Sequence, residues 1–168
     1  MPLDKSALTD FLSALDDEIN RKITIVAAGG TAMTLLDLKP STIGIDFTIP
    51  SEDRPEFDKA LTSIPHGFKV DVWSDGQIFS QILPNDYLKK SIEIISLKHI
   101  LLRALHPVDI IVTKIGRLDE KDLQDIEACI EKFHISKIQV EERAADVQYV
   151  GKEEDYIHNL KCVLERFF

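Results

Sequence analysis

The sequence predicts an α/β fold: a small mixed sheet flanked by helices, followed by a helical C-terminal half. Three observations predict it. Through residue 95 helical and strand periodicities alternate, which favours a sheet with helices packed on it. An apolar, β-branched run, "KITIVAA" (22–28), leads straight into a glycine pair that opens a helical stretch. From residue 96 the strand-like alternation gives way to successive helical patterns. The 168 residues suffice for one domain, 1–168, with a sheet-containing core at 1–95 and a helical part at 96–168.

The elements follow in order. Leu8, Phe11, Leu12, Leu15 and Ile19 recur at helical spacing, so residues 6–21 are expected to be a helix, with Ser6 as its cap. Residues 22–28 read as a buried strand, and "GGTAMTLLDL" (29–38) as a helix that Lys39-Pro40-Ser41 breaks. "STIGIDFTI" (41–49) alternates: Ile43, Ile45, Phe47 and Ile49 face one way, Gly44, Asp46 and Thr48 the other. "SEDRPEFDKALTSI" (51–64) carries a serine cap, acids and Pro55, the signs of a helix N-terminus. "HGFKVDVW" (66–73) is a third strand, with Lys69, Asp71 and Trp73 on its polar face. Ser74-Asp75-Gly76 is a turn, "QIFSQIL" is expected to pair back as a hairpin, and "SIEII" (91–95) to add an edge strand. Beyond this, "SLKHILLRAL", "PVDIIVTKIGRL", "DEKDLQDIEACIEKF", "SKIQVEERAADVQYV" and "DYIHNLKCVLERFF" read as consecutive helices. Pro107 sits in the first turn of the second, and Asp119 caps the third.

Bulk properties restrict the function classes. The net charge of −9 argues against holding long nucleic acid by its phosphates, but is compatible with a single nucleotide or a basic protein partner. No apolar run approaches the length of a membrane span, and the acidic start "MPLDKSALTDFLSAL" lacks a signal-peptide core, so a cytoplasmic protein is expected. Cys129 and Cys162 have no metal-ligand spacing and are expected to be buried, reduced thiols. The five histidines show no HxH or HExxH pattern, which makes a zinc site improbable.

One constellation can carry chemistry. If the second and third strands are neighbours, Asp46 and Asp71 point to the same face. Two carboxylates near a glycine-opened helix can hold Mg²⁺ against nucleotide phosphates, because hard divalent cations take oxygen ligands. The N–H groups around Gly29, Gly30 and Thr31 can cradle a phosphate at the positive end of the helix. Trp73 either stacks on a base or caps the sheet edge, and the second is favoured.

"GG" (29–30), "TIGID" (42–46) and "VDV" (70–72) together resemble the nucleotidyltransferase superfamily, of polymerase-β-like fold. The chain is most similar to its small prokaryotic branch, often found in type IV-like toxin–antitoxin pairs. That branch opens a helix with Gly-Gly or Gly-Ser, carries Asp-x-Asp on the next strand and a third acid on a later one. Asp46 matches the second acid and Asp71 the third, while Gly44 stands at the first. Downstream, "PVDIIVTKIGR" and "EKDLQDI" match the branch's Pro-x-Asp-(x)4-Lys-(x)2-Arg and Lys-Asp-(x)2-Asp segments. The resemblance implies metal ligation and catalysis by Asp46 and Asp71, with Mg²⁺ or Mn²⁺. It implies nucleotide contacts from Gly29, Gly30, Thr31, Lys114, Arg117 and Asp122, with Lys114 on the triphosphate. The implied activity is transfer of a nucleoside monophosphate from a nucleoside triphosphate to a protein or RNA acceptor. Gly44 removes one carboxylate and should weaken the second metal. The alternative is therefore a catalytically degenerate nucleotide-binding protein, or an antitoxin-type module that binds a partner protein.

Overall fold

The structure is a computed structural model and describes residues 2–168. Strand β1 (Leu3–Asp4) leads into α1 (Lys5–Asp17), followed by β2 (Ile23–Ala27), α2 (Gly29–Leu35), β3 (Ser41–Thr42), β4 (Ile45–Ile49), α3 (Arg54–Ser63) and β5 (Val70–Ser74). Next come β6 (Gln77–Ile78), β7 (Gln81–Ile82), α4 (Tyr87–Lys90), β8 (Ile92–Ser96) and β9 (Ile100–Ala104). The remainder is α5 (Pro107–Lys114), α6 (Glu120–Phe133), α7 (Lys137–Ala145), β10 (Gln148–Tyr149) and α8 (Glu153–Phe167).

The main sheet has the order β5-β4-β2-β9-β8. β4 and β5 are parallel, as are β2 and β9, whereas β2–β4 and β8–β9 are antiparallel. It is the mixed α/β sheet that the alternation of patterns predicts. β1 pairs with β3, and β10, β7 and β6 form a small third sheet. The core lies between the main sheet and its helices. Leu8, Leu12 and Leu15 of α1, Ile25 and Val26 of β2, Phe47 and Ile49 of β4, and Ile110 and Ile111 of α5 are all buried in it. Phe47 meets Phe57 of α3 edge to face at 5.8 Å, a favoured aromatic geometry.

Several expectations are corrected. "SLKHILLRAL" is not a helix: it holds the end of β8, a turn and β9, which runs beside β2 with Ile100 opposite Ile23 and Ala104 opposite Ala27. In β9, Leu101 and Leu102 make a short apolar run although burial alternates along the strand, and such a run does not separate strand from helix. The buried Asp16 carboxylate fixes the start of β9 by accepting from the backbone N–H of His99 (2.7 Å) and of Ile100 (2.8 Å). The helical part accordingly begins at Pro107.

"QIFSQIL" does form a hairpin, but β7 then pairs with β10, so the helix expected over 136–150 ends at Ala145. Asp4, not Ser6, caps α1 by accepting from Ala7 N–H. Asp53 stands at the N-cap of α3, and Ser51 instead hydrogen-bonds Asp75. Cys129 is buried, and burial pushes its thiol up to about 12, but Cys162 is exposed. No helix among the described residues is long and apolar enough to cross a membrane.

Candidate active site

The β4–β5 register places Asp46 directly opposite Asp71. Neighbouring strands in register project such a pair to the same face. Both line a cavity of about 480 Å³ together with Gly29, Gly30, Gly44, Lys114 and Arg117. Four cationic side chains (Lys39, Lys114, Arg117, Lys121) and three carboxylates (Asp46, Asp71, Asp125) line it. The cavity's lining charges are thus close to balanced, in a chain of net charge −9.

The glycines are there for closeness of approach. Gly29 has φ +52°, and a Cβ on it would fall 2.7 Å from Asp46 Oδ2. A Cβ on Gly30 would fall 2.9 Å from Thr42 Oγ1. Gly29→Ala is therefore expected to cost about 1–2 kcal/mol for the left-handed backbone alone, and to push Asp46 aside. Urea denaturation checks it; unchanged stability would contradict the tight Gly29–Asp46 contact. Thr31 is buried away from the cavity. Its hydroxyl accepts from Asp46 N–H at 3.0 Å, so its side chain holds β4 in place.

Asp46 is the perturbed group of the site. Burial first, and repulsion from Asp71 second, raise its carboxyl to about 6, against the pull of Lys114, Arg117 and Lys69. A carboxyl whose folded value lies above its unfolded value favours the fold when protonated. That contribution is complete below about pH 4 and is lost as pH rises through about 6. The melting temperature in metal-free buffer is expected to fall between pH 4.5 and 7, and Asp46→Asn to flatten that fall. Identical profiles for both proteins would refute it.

The cations are held by a buried network. Lys114, 3% exposed, lies 3.4 Å from Asp122 Oδ1 and 3.0 Å from Asp125 Oδ2, and Lys39 lies 3.1 Å from Asp125 Oδ1. Arg117 grips Asp122 with a two-pronged fork at 2.8 and 2.7 Å. Burial raises the Asp122 carboxyl, but the Arg117 hydrogen bond and the charges of Lys114 and Arg117 outweigh it and hold it below the usual range. Asp122 also accepts from Asp119 N–H, closing the capping box of α6. Its side chain is fully buried and does not line the cavity; it holds Lys114 and Arg117, which do.

Among the described residues no cluster of three or more His, Cys, Asp or Glu side chains is arranged for a metal ion. Asp46 and Asp71 provide two oxygen donors, the chemistry a hard divalent cation takes, with phosphate oxygens and water completing the shell. A cation between them also relieves the repulsion that raises Asp46. The donor set of the pair suits one divalent cation at most, since a third carboxylate is lacking.

Residues 6–167 match a family described as nucleotidyltransferase of unknown function (DUF6036). The chain belongs to this family. Two solved structures share the fold. One is ANT(2″)-Ia in complex with adenylyl-2″-tobramycin: TM-score 0.56, 15% identity, covering 83% of this chain and 94% of that one. The other is the solution structure of antibiotic-resistance factor ANT(2″)-Ia: TM-score 0.54, 15% identity, covering 82% and 87%. No curated protein matches the chain.

In this nucleotidyltransferase the structure adds cavity residues that the sequence does not mark. Lys39 sits in what reads only as a helix-breaking loop. Phe79 caps the cavity from the β6–β7 turn with φ +51°, a strained backbone for a bulky side chain. Arg117 lies 5.2 Å over its ring, and Trp73 meets it edge to face, at the β5 edge of the sheet. Only that left-handed turn brings Phe79 inward, and no periodicity signals it.

Proposed function

We propose that the protein transfers a nucleoside monophosphate from a nucleoside triphosphate to a protein or RNA acceptor, with Mg²⁺ or Mn²⁺. The observation that carries the reading is Asp46 opposite Asp71 at a cavity that also holds the glycine-opened start of α2 and the Lys114–Arg117 cations. In this reading Asp46 and Asp71 hold the cation, which when bound neutralises phosphate charge and polarises the phosphoryl oxygens. Gly29 and Gly30 let the backbone approach the phosphates closely. Lys114 and Arg117, kept in place by Asp122 and Asp125, bind the β- and γ-phosphates and stabilise the charge that develops on the leaving pyrophosphate. The acceptor oxygen bonds to the α-phosphorus as the bridge to the β-phosphate breaks.

Gly44 favours a second reading. It lies on the same face as Asp46, where a further acid would complete a two-cation site, and it offers no ligand. Under that reading the protein binds a nucleotide, or a partner protein in a toxin–antitoxin pair, without turnover. Each of the four α-labelled NTPs, supplied with Mg²⁺ or Mn²⁺ and with cell protein or RNA as acceptor, separates the two. Labelled acceptor with pyrophosphate release is the expected result. Nucleotide binding without release selects the second reading.

A further inference from the structure

We propose that Lys69 supplies the second positive charge of the reaction centre, in the place of a second divalent cation. The inference rests on the nucleotidyltransferase reading above. Two residues before the Asp46–Asp71 pair, just ahead of β4 and β5, Gly44 lies beside Lys69. A Cβ on Gly44 would lie 3.8 Å from Lys69 Cβ and 3.3 Å from its carbonyl oxygen. Ile45 N–H donates to the Lys69 carbonyl at 2.9 Å, so the two-residue period of β4 and β5 carries back to Gly44 and Lys69 and sets them on the side of Asp46 and Asp71. That face carries two carboxylates, one ammonium and one vacant position.

Lys69 Nζ lies 3.4 Å from Asp71 Oδ2, with the lysine 80% exposed. The charge of Lys69 also pulls the Asp46 carboxyl down, so it acts on both acids. An exposed pair of this kind adds little to stability. The ammonium is therefore free to leave Asp71 for a phosphate oxygen when a nucleotide enters. Two carboxylates balance a single divalent cation, and a second such ion would find no acid at Gly44. A tethered ammonium needs none. In the transfer the acceptor oxygen bonds to the α-phosphorus, and pyrophosphate leaves with the electron pair of the broken bond. The acceptor proton passes to water. Lys69 keeps its own protons and donates a hydrogen bond to a non-bridging phosphate oxygen.

Electron paramagnetic resonance of Mn²⁺ with an α,β-methylene NTP analogue tests this without turnover. Wild type is expected to bind one Mn²⁺ per chain. Lys69→Ala is expected to keep that single ion and an unchanged melting temperature, and to bind the analogue about tenfold more weakly. Lys69→Arg should stay within about twofold of wild type, because it retains the charge. Two Mn²⁺ in the wild type, or Lys69→Ala binding as tightly as wild type, overturns the proposal. Analogue binding absent from the wild type itself overturns the nucleotidyltransferase reading, and this inference with it.

Discussion

Replacing Asp46 by alanine is expected to lower metal-dependent nucleotidyl transfer roughly a thousandfold while leaving the fold intact or firmer. A divalent cation on a transferring phosphoryl group contributes several kcal/mol, and each ~1.4 kcal/mol is a factor of ten in rate. Asp46 is the acid that Gly29 packs against, and no neighbour is placed to replace it. Asp75 is occupied by Ser51, and Asp125 by Lys39 and Lys114. The same removal relieves a buried charge that burial and Asp71 both disfavour. Loss of transfer with an equal or higher melting temperature is therefore the signature of a site residue. A drop in both would mark Asp46 as structural.

The second large effect is on stability. Arg143→Ala is expected to cost about 3–5 kcal/mol, because it strands the Asp109 carboxylate in the core. Asp109 is fully buried in the first turn of α5, and Arg143 of α7 reaches it with Nε at 2.5 Å and Nη2 at 3.0 Å. Nη1 continues to Asp86, the N-cap of α4, at 2.7 Å. One guanidinium thus ties three helices together. A melting temperature lower by about 10 °C is the expected reading for a chain of this size. The paired change Asp109→Leu with Arg143→Met should regain most of the loss, since an apolar pair leaves no stranded charge. A loss below about 1 kcal/mol for Arg143→Ala would show that water reaches Asp109 in its absence. Because α5 also carries Lys114, the single variant should weaken nucleotide binding as well.

What the sequence revealed of this fold follows from how local each signal is. Strict alternation in "STIGIDFTI" and in "VDVW" puts Asp46 and Asp71 on one face once their strands adjoin, and the register brings them side by side. Asp119 caps α6 as its position predicts, through contacts only three residues away. β9 was hidden because its five residues, Ile100–Ala104, are too short a run, with leucines on both faces, to show the alternation of its burial. Asp109 lies within a recognisable segment, but its partner Arg143 is 34 residues away on a helix face full of ordinary charges. Asp122 has the residue type of a ligand-binding group. Only its complete burial under Lys114 and Arg117 assigns it to positioning. Lys69 reads in the sequence only as one of the residues on the polar face of its strand; its closeness to Gly44 is visible only in the structure.

The central claim is that Asp46 and Asp71 join a divalent cation to a nucleoside triphosphate in the cavity at the start of α2. Titration calorimetry with a non-hydrolysable NTP, run with Mg²⁺, with EDTA and on Asp46→Asn, tests it most directly. The expected result is one nucleotide per chain, bound in Mg²⁺ and lost both in EDTA and in the variant. No binding of any of the four nucleotides, or binding that neither EDTA nor Asp46→Asn alters, would contradict it.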